Sequence, residues 1–261
     1  MLIAGLSAFN PLIAKVISLN GKWRFAIDSM GVYNISTISK MTSWRDAEVP
    51  LSWQVQFPEL RDYQGIAWYK KQFDFPGMGS DQTAKVRFEA VDYIAEVFIN
   101  SKFAGKHEGG YTPFEFDISE YVKKGNNEIV LRVVDPVANE KGTEGISYWN
   151  IPHGKQNWYV QTSGIWRDAD IIIEAIRSVR NVKITTAING RFHSEIYLSK
   201  GIVNKNENIS FKIISPGGTT VFSKNIKSSS ADSAVSIEGT IDKPELWSTD
   251  SPKLYTMKIS L

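Results

Sequence analysis

The chain has 261 residues, 42% of them hydrophobic and 22% charged, which is enough apolar sequence for one large or two ordinary domains with packed cores. Its 30 basic and 28 acidic residues leave a net charge of +2 with no long basic run, so the electrostatic footprint of a nucleic-acid binder is absent and no nucleic-acid partner is expected. Without a single cysteine there is no disulfide framework, no thiolate zinc site and no cysteine nucleophile, and the compartment stays open between periplasmic or secreted and cytoplasmic.

Residues 1–17 are largely apolar but interrupted by Asn10, Pro11 and Lys15 and lack a basic start, which makes a poor signal peptide and too broken a stretch for a membrane span. They read either as the tail of a secretory leader or as a first strand lying on the fold. Residues 16–27 read as a strand pair around Gly21, with Trp23 and Phe25 on one side by parity. Residues 29–42 are polar and read as a long loop or irregular edge, and Val49-Pro50 leads to Trp53, expected to plug the core from a loop. Residues 65–75 alternate as a strand ended by Pro76-Gly77, with residues 84–89 as the expected hairpin partner.

The stretch 91–121 organises the rest. Val91, Ala95, Val97 and Ile99 are apolar at odd positions, while Asp92, Glu96 and Asn100 fall among the even ones, the period of a strand with one buried face. Asn100-Ser101 sits where a tight hairpin turn belongs, Gly109-Gly110 breaks the returning strand, and Phe114, Phe116 and Ile118 resume alternation in a third strand. Residues 119–124 suit one helical turn stopped by Gly125, before a β-branched strand over 128–134.

Residues 137–162 have no persistent period. Gly142, Gly145, Pro152 and Gly154 punctuate them, and Trp149, His153, Gln156, Asn157, Trp158 and Tyr159 crowd into them. A connection this long in a compact domain is functional or disordered, and its aromatics argue against disorder, so it is the best site candidate. Residues 165–173 return as a strand. From about residues 175–179 short alternating runs separated by Asn-Gly, Pro-Gly-Gly and Ser-rich turns predict an immunoglobulin-like sandwich. No long helix is required anywhere, which excludes a nucleotide-binding α/β fold.

Several segments resemble glycoside hydrolase family 2, the β-galactosidase, β-glucuronidase and β-mannosidase family. They are L-N-G-K-W-R-F from Leu19, V-P-L-S-W-Q from Val49, G-I-A-W-Y-K-K-Q-F from Gly65, H-E-G-G-Y-T-P-F-E-F-D-I from His107, G-N-N-E-I from Gly125, S-G-I-W-R-D from Ser163 and E-L-W-S-T-D-S-P-K-L-Y-T from Glu245. The resemblance implies an all-β chain: a jelly-roll, galactose-binding-like β-sandwich over 1–176, then an immunoglobulin-like β-sandwich over 177–261. It implies a carbohydrate partner, a β-glycoside, and a catalytic (β/α)8 barrel in cis or in trans, which takes about 250 residues and carries the site at its C-terminal face. In the family both catalytic carboxylates are glutamates of that barrel, so this chain is read as non-catalytic, scaffolding and shaping the sugar site. The alternative from another class is a free-standing carbohydrate-binding module; a third is a structural sandwich with an exposed apolar patch.

A first-domain loop of family members reaches the barrel mouth shortly before the S-G-I motif. Here that loop implies Gln156 and Asn157 as donors and acceptors for hydroxyls and Trp158 or Tyr159 as a stacking ring. The acidic or histidine residues that some members place there are missing. Ser101 stands where the family usually has Gly, and a longer turn is expected because Ser tolerates positive φ less well. His107-Glu108-Gly109-Gly110 reads as a shaping element with a structural His–Glu hydrogen bond. The Asn-Glu pairs at Asn127, Asn139 and Asn206 lie in turns or loops, the three histidines are not at ligand spacing, and Asp168 and Asp170 read as solvated acids. No catalytic residue, metal or cofactor is expected from this chain.

Overall fold

In the computed structural model, residues 14–139, 141–152, 162–199, 207–229 and 233–261 are described. The chain divides into two compact units, one reaching Glu174 and one running from Ala175 to Leu261. The architecture is all-β, and no helix among the described residues is long and apolar enough to cross a membrane.

Strands of the first unit are β1 (Lys15–Ser18), β2 (Gly21–Ile27), β3 (Arg45–Val49), β4 (Gly65–Phe75), β5 (Gln82–Phe88), β6 (Val91–Asp92), β7 (Ile94–Ile99), β8 (Lys102–Glu108), β9 (Phe114–Asp117), β10 (Gly125–Asp135), β11 (Gly164–Ile165) and β12 (Ala169–Ala175). A six-stranded sheet in the order β3-β2-β4-β10-β7-β8 faces a four-stranded sheet in the order β1-β12-β5-β9, and β11 pairs with β6 in a small ribbon. This is a jelly-roll sandwich. Its core is filled from the first sheet by Trp23, Phe25, Tyr69, Val97, Leu131 and Val133 and from the second by Val86, Phe88, Ile171 and Ile173. Trp53, carried by one helical turn (Trp53–Gln56), is fully buried among them, as expected. Each such aromatic contributes on the order of 2 kcal/mol or more on leaving water.

Pairing departs from the sequence reading in several places, because period reports which face a residue takes and not which strand lies beside it. β1 and β2 do not pair: β1 lies on β12 and β2 between β3 and β4. β5 is no hairpin partner of β4; it pairs with β9 in the four-stranded sheet, while β4 runs beside β10 for its whole length in the six-stranded one. The expected strand over 165–173 is two strands, β11 and β12, separated by a crossing at 166–168.

The organising strand also has two buried faces instead of one. Ile94 and Phe98 join Ala26, Trp68, Val130 and Val134 in a second apolar cluster covered by Ile38 and Met41. The polar stretch after β2 is that cover, organised by buried Asp28, whose carboxylate accepts from Val32 N at 3.0 Å, Tyr33 N at 3.1 Å and Trp68 Nε1 at 3.3 Å.

The β7–β8 turn stays at two residues, with Asn100 at φ 51° and Ser101 at φ 66° and Ile99 opposite Lys102. The longer turn expected for Ser101 does not form because Asn100 is pinned. Its Nδ2 donates to Tyr121 O and Asn127 Oδ1, each at 2.8 Å, and its Oδ1 accepts from Glu128 N at 3.0 Å.

The second unit comprises β13 (Val179–Thr186), β14 (Arg191–Leu198), β15 (Glu207–Ile214), β16 (Thr220–Ser228), β17 (Ala234–Thr240) and β18 (Thr256–Ser260). Two three-stranded sheets, β13-β14-β17 and β16-β15-β18, enclose Phe192, Ile196, Leu198, Ile209, Phe211, Ile213 and Ile237. This is the expected immunoglobulin-like sandwich. Phe192 stands edge-on to Phe222, and a side chain at Gly239 would collide with both rings at about 2.5 Å.

Candidate functional site

The long connection after β10 begins at Asp135 and ends at Ser163, and a buried clasp joins these two residues. Ser163 Oγ donates to Asp135 Oδ2 at 2.6 Å, Gln54 Nε2 donates to Ser163 Oγ at 2.5 Å, and Ser163 N donates back to Gln54 Oε1 at 3.0 Å. Asp135 and Ser163 are fully buried and Gln54 nearly so. Just beyond, Gly164 pairs with Asp92 in the β11–β6 ribbon; at φ 88°, a side chain there would sit 2.2 Å from the Tyr69 hydroxyl. The chain is therefore fixed at the base of the connection by desolvated hydrogen bonds, although Asp135 Oδ1 and both Asp92 carboxyl oxygens are buried without a hydrogen-bond partner among the described residues.

Asp92 and Asp135 carry the strongest electrostatic perturbation. Burial, then the neighbouring Asp135 charge, pushes the Asp92 carboxyl up to about 8; burial pushes Asp135 up to about 7, opposed by the Ser163 hydrogen bond. Raised carboxyls in a pair are the mark of an acid/base site. Here access decides against it: both are sealed from solvent, and Gly110 packs so closely that a Cβ would lie 2.5 Å from the Asp92 carboxyl carbon. No substrate atom reaches either group, so the pair serves the fold.

Of the connection itself, the first half is described. Arg132 Nη2 bonds Glu144 Oε1 at 2.6 Å, Lys106 lies 3.7 Å from the same carboxylate, and Ser147 caps a single turn (Tyr148–Asn150) that leaves Trp149 67% exposed. The expected sugar contacts Gln156, Asn157, Trp158 and Tyr159 lie outside the described residues.

In the H-E-G-G-Y segment the side chains take partners other than those expected. His107 stacks on Phe114 with centroids 4.2 Å apart, and its Nε2 lies 3.4 Å from Thr112 Oγ1 instead of bonding Glu108. Burial holds its imidazole below the usual range. Trp166 Nε1 donates to Gly110 O at 2.8 Å, and Tyr111, 53% exposed, stands edge-on to Trp166 at 5.7 Å. Asp168 accepts from Asn20 Nδ2 at 2.9 Å. Among the described residues no group of three or more ligating side chains is placed to hold a metal ion. A groove of about 360 Å³ on the outer face of the six-stranded sheet holds Lys22, Arg24, Lys70 and Lys71, but Arg24 is already paired with Asp46 at 2.7 Å and Lys71 is tied to backbone carbonyls of Asn20 and Lys22.

Sequence reasoning did not single out Gln54, Asp92, Asp135 or Ser163. The available signal for Asp92 was an acid inside an otherwise apolar run, which parity alone assigns to solvent.

Residues 16–174 match the family described as "Glycosyl hydrolases family 2, sugar binding domain", and residues 178–261 match "Glycosyl hydrolases family 2". A β-galactosidase of Thermoanaerobacter pseudethanolicus is 28% identical over 214 residues, covering 77% of this chain and 26% of that protein. A β-glucuronidase of Streptococcus agalactiae is 30% identical over 159 residues, covering 59% of this chain and 24% of that protein. The chain thus spans about a quarter of the length of these relatives. Among solved structures, the β-glucuronidase of Bifidobacterium dentium, complexed with coumarin-3-O-glucuronide, superposes with a TM-score of 0.75 at 22% identity over 96% of this chain and 45% of that one, which shows a shared fold.

Proposed function

The chain belongs to glycosyl hydrolase family 2, and from that premise we propose that it is the non-catalytic N-terminal portion of a β-glycosidase that hydrolyses O-glycosyl bonds, shaping and supporting the sugar site of a (β/α)8 barrel. The observation that carries this reading is the pair of family matches running over both sandwiches, in relatives of which the chain spans only about a quarter. A retaining glycosidase needs two carboxylates about 5 to 5.5 Å apart and open to substrate. The one raised carboxyl pair found among the described residues is sealed, which favours support over cleavage.

In this reading the connection between Asp135 and Ser163 provides one wall of the sugar site. Gln156 and Asn157 bond hydroxyls, and Trp158 or Tyr159 stacks on a pyranose face, with the barrel, in cis or in trans, supplying the opposite wall and both glutamates. The Asp135–Ser163–Gln54 clasp supports this by fixing the point at which that connection ends.

Two measurements test it. The purified 261-residue chain should turn over aryl β-galactosides, β-glucuronides and β-mannosides no faster than buffer, and hydrolysis that is lost on changing one carboxylate of this chain would overturn the reading. Calorimetric titration should give affinities no tighter than about millimolar, near −4 kcal/mol, as expected of half a site. Micromolar oligosaccharide binding abolished by Trp158→Ala would replace the scaffold with a self-contained carbohydrate-binding module.

A further inference from the structure

We propose that Tyr111, Trp166 and Arg167 form a surface platform for an acidic pyranose, a uronic acid residue of a glycoside or oligosaccharide. The ligand class rests on the sugar-binding reading above; the location rests on geometry.

The platform joins two segments far apart in sequence. Tyr111 stands in the turn after β8 and Trp166 directly follows β11, and the Trp166 Nε1 bond to Gly110 O at 2.8 Å locks one to the other. The turn is also fixed from beneath: Gly109 takes φ +126°, and Gly110 packs on Asp92 with no room for a side chain. On its far flank Thr112 meets His107, which is itself stacked on Phe114.

A turn held this firmly nevertheless carries a large ring outward. Tyr111 is 53% exposed, although an aromatic ring gains most when buried. Its contact with Trp166 is edge-on, 5.7 Å between centroids at 67°, and an edge-on pair leaves ring faces uncovered by its partner. An exposed, pre-oriented ring face suits the C–H face of a pyranose, because little side-chain freedom is lost on binding.

Arg167 sets the charge of the ligand. Its guanidinium lies 5.8 Å from the Trp166 ring centroid, the residue is exposed, and it has no carboxylate partner among the described residues. The adjacent Asp168 is engaged by Asn20. A planar guanidinium beside a stacking ring matches a sugar carboxylate, which accepts two parallel hydrogen bonds. Burial and the nearby Asp92 raise the Tyr111 phenol, so its hydroxyl remains a donor at neutral pH.

The test titrates the full chain by saturation-transfer NMR with methyl β-D-glucuronide and methyl β-D-glucoside, which differ only in the carboxylate. Saturable glucuronide binding at about millimolar is expected, with the glucoside about tenfold weaker. Tyr111→Ala and Arg167→Gln should each weaken glucuronide about tenfold, Arg167→Gln bringing the two sugars level, while Tyr111→Phe retains binding and all variants keep the parent melting temperature. Absence of saturation up to about 50 mM, or glucuronide binding unchanged in both Tyr111→Ala and Arg167→Gln, overturns the platform. Binding lost in Trp158→Ala but kept in Tyr111→Ala would overturn it too, yet leave the proposed sugar wall standing.

Discussion

Asp92 is an acid that the fold keeps protonated, and the consequence is a pH-dependent stability of unusual sign for a carboxylate. Its folded value of about 8 and that of Asp135, about 7, lie above the 3.8 of an unperturbed aspartate, so between these limits the folded state binds more protons than the unfolded one. Stability is then fully present below about pH 4 for these groups and lost as pH rises towards 8, at about 1.4 kcal/mol per unit of displacement. The titratable groups that interact with the pair, Tyr111 and Tyr93 with Asp92 and Tyr63 with Asp135, carry no positive charge to offset this. Denaturant melts at pH 5, 7 and 9 should show a loss of several kcal/mol across the series, on the order set by those displacements, and Asp92→Asn should flatten it by roughly half. A parent whose stability does not change from pH 5 to 9 would refute the buried-acid account. Much of the site was opaque in the sequence for the same reason: Asp92 has the parity of a solvent-facing residue, and it is buried by the ribbon with Gly164 and by Gly110, neither of which is its neighbour in the sequence.

The β7–β8 hairpin shows what local chemistry does and does not reveal. Asn-Ser is legible as a turn, but its length was decided by Asn100, whose side chain bonds Tyr121, Asn127 and Glu128 from other parts of the chain. Ser101 therefore holds φ 66° under tertiary constraint, in a region that costs a residue with a Cβ about 1 kcal/mol or more. Ser101→Gly should relieve that strain and, after glycine's larger entropy loss, leave a net stabilisation of up to about 1 kcal/mol, read as a raised denaturant midpoint with unchanged slope. A lowered midpoint would mean that the serine makes a compensating contact. The same division runs through the sandwich. The alternation of β4, β7 and β10 was plain in the residues, whereas the crossing of β1 and β5 into the second sheet was not, because each also satisfies the period of a hairpin neighbour. The second buried face of β7 was hidden too, since the cover over Ile94 and Phe98 is a polar loop organised around one carboxylate, Asp28.

At the scale of the whole chain, each unit has an apolar core made from its own strands, and the residues after β12 turn towards the second one. Arg177, nearly buried, donates to Ser199 O at 2.6 Å and Ser229 O at 3.1 Å; Ser199 Oγ donates to Ile176 O at 2.6 Å and accepts from Ser178 N at 2.7 Å. The boundary ahead of Ala175 keeps all of these bonds within one unit, whereas division into domains 1–176 and 177–261 leaves the Ser199–Ile176 bond across it. The core around Phe192, Phe211 and Ile237 then has all its partners in the second fragment, so residues 177–261 expressed alone should melt cooperatively. In the full chain, calorimetry should resolve two transitions, and Asp92→Asn, whose partners Gly164 and Asp135 both lie in the first unit, should move one and leave the other in place. Both transitions shifting together by the same amount, or a non-cooperative melt of the 177–261 fragment, would show that the sandwiches fold as a single unit and that the division is misplaced.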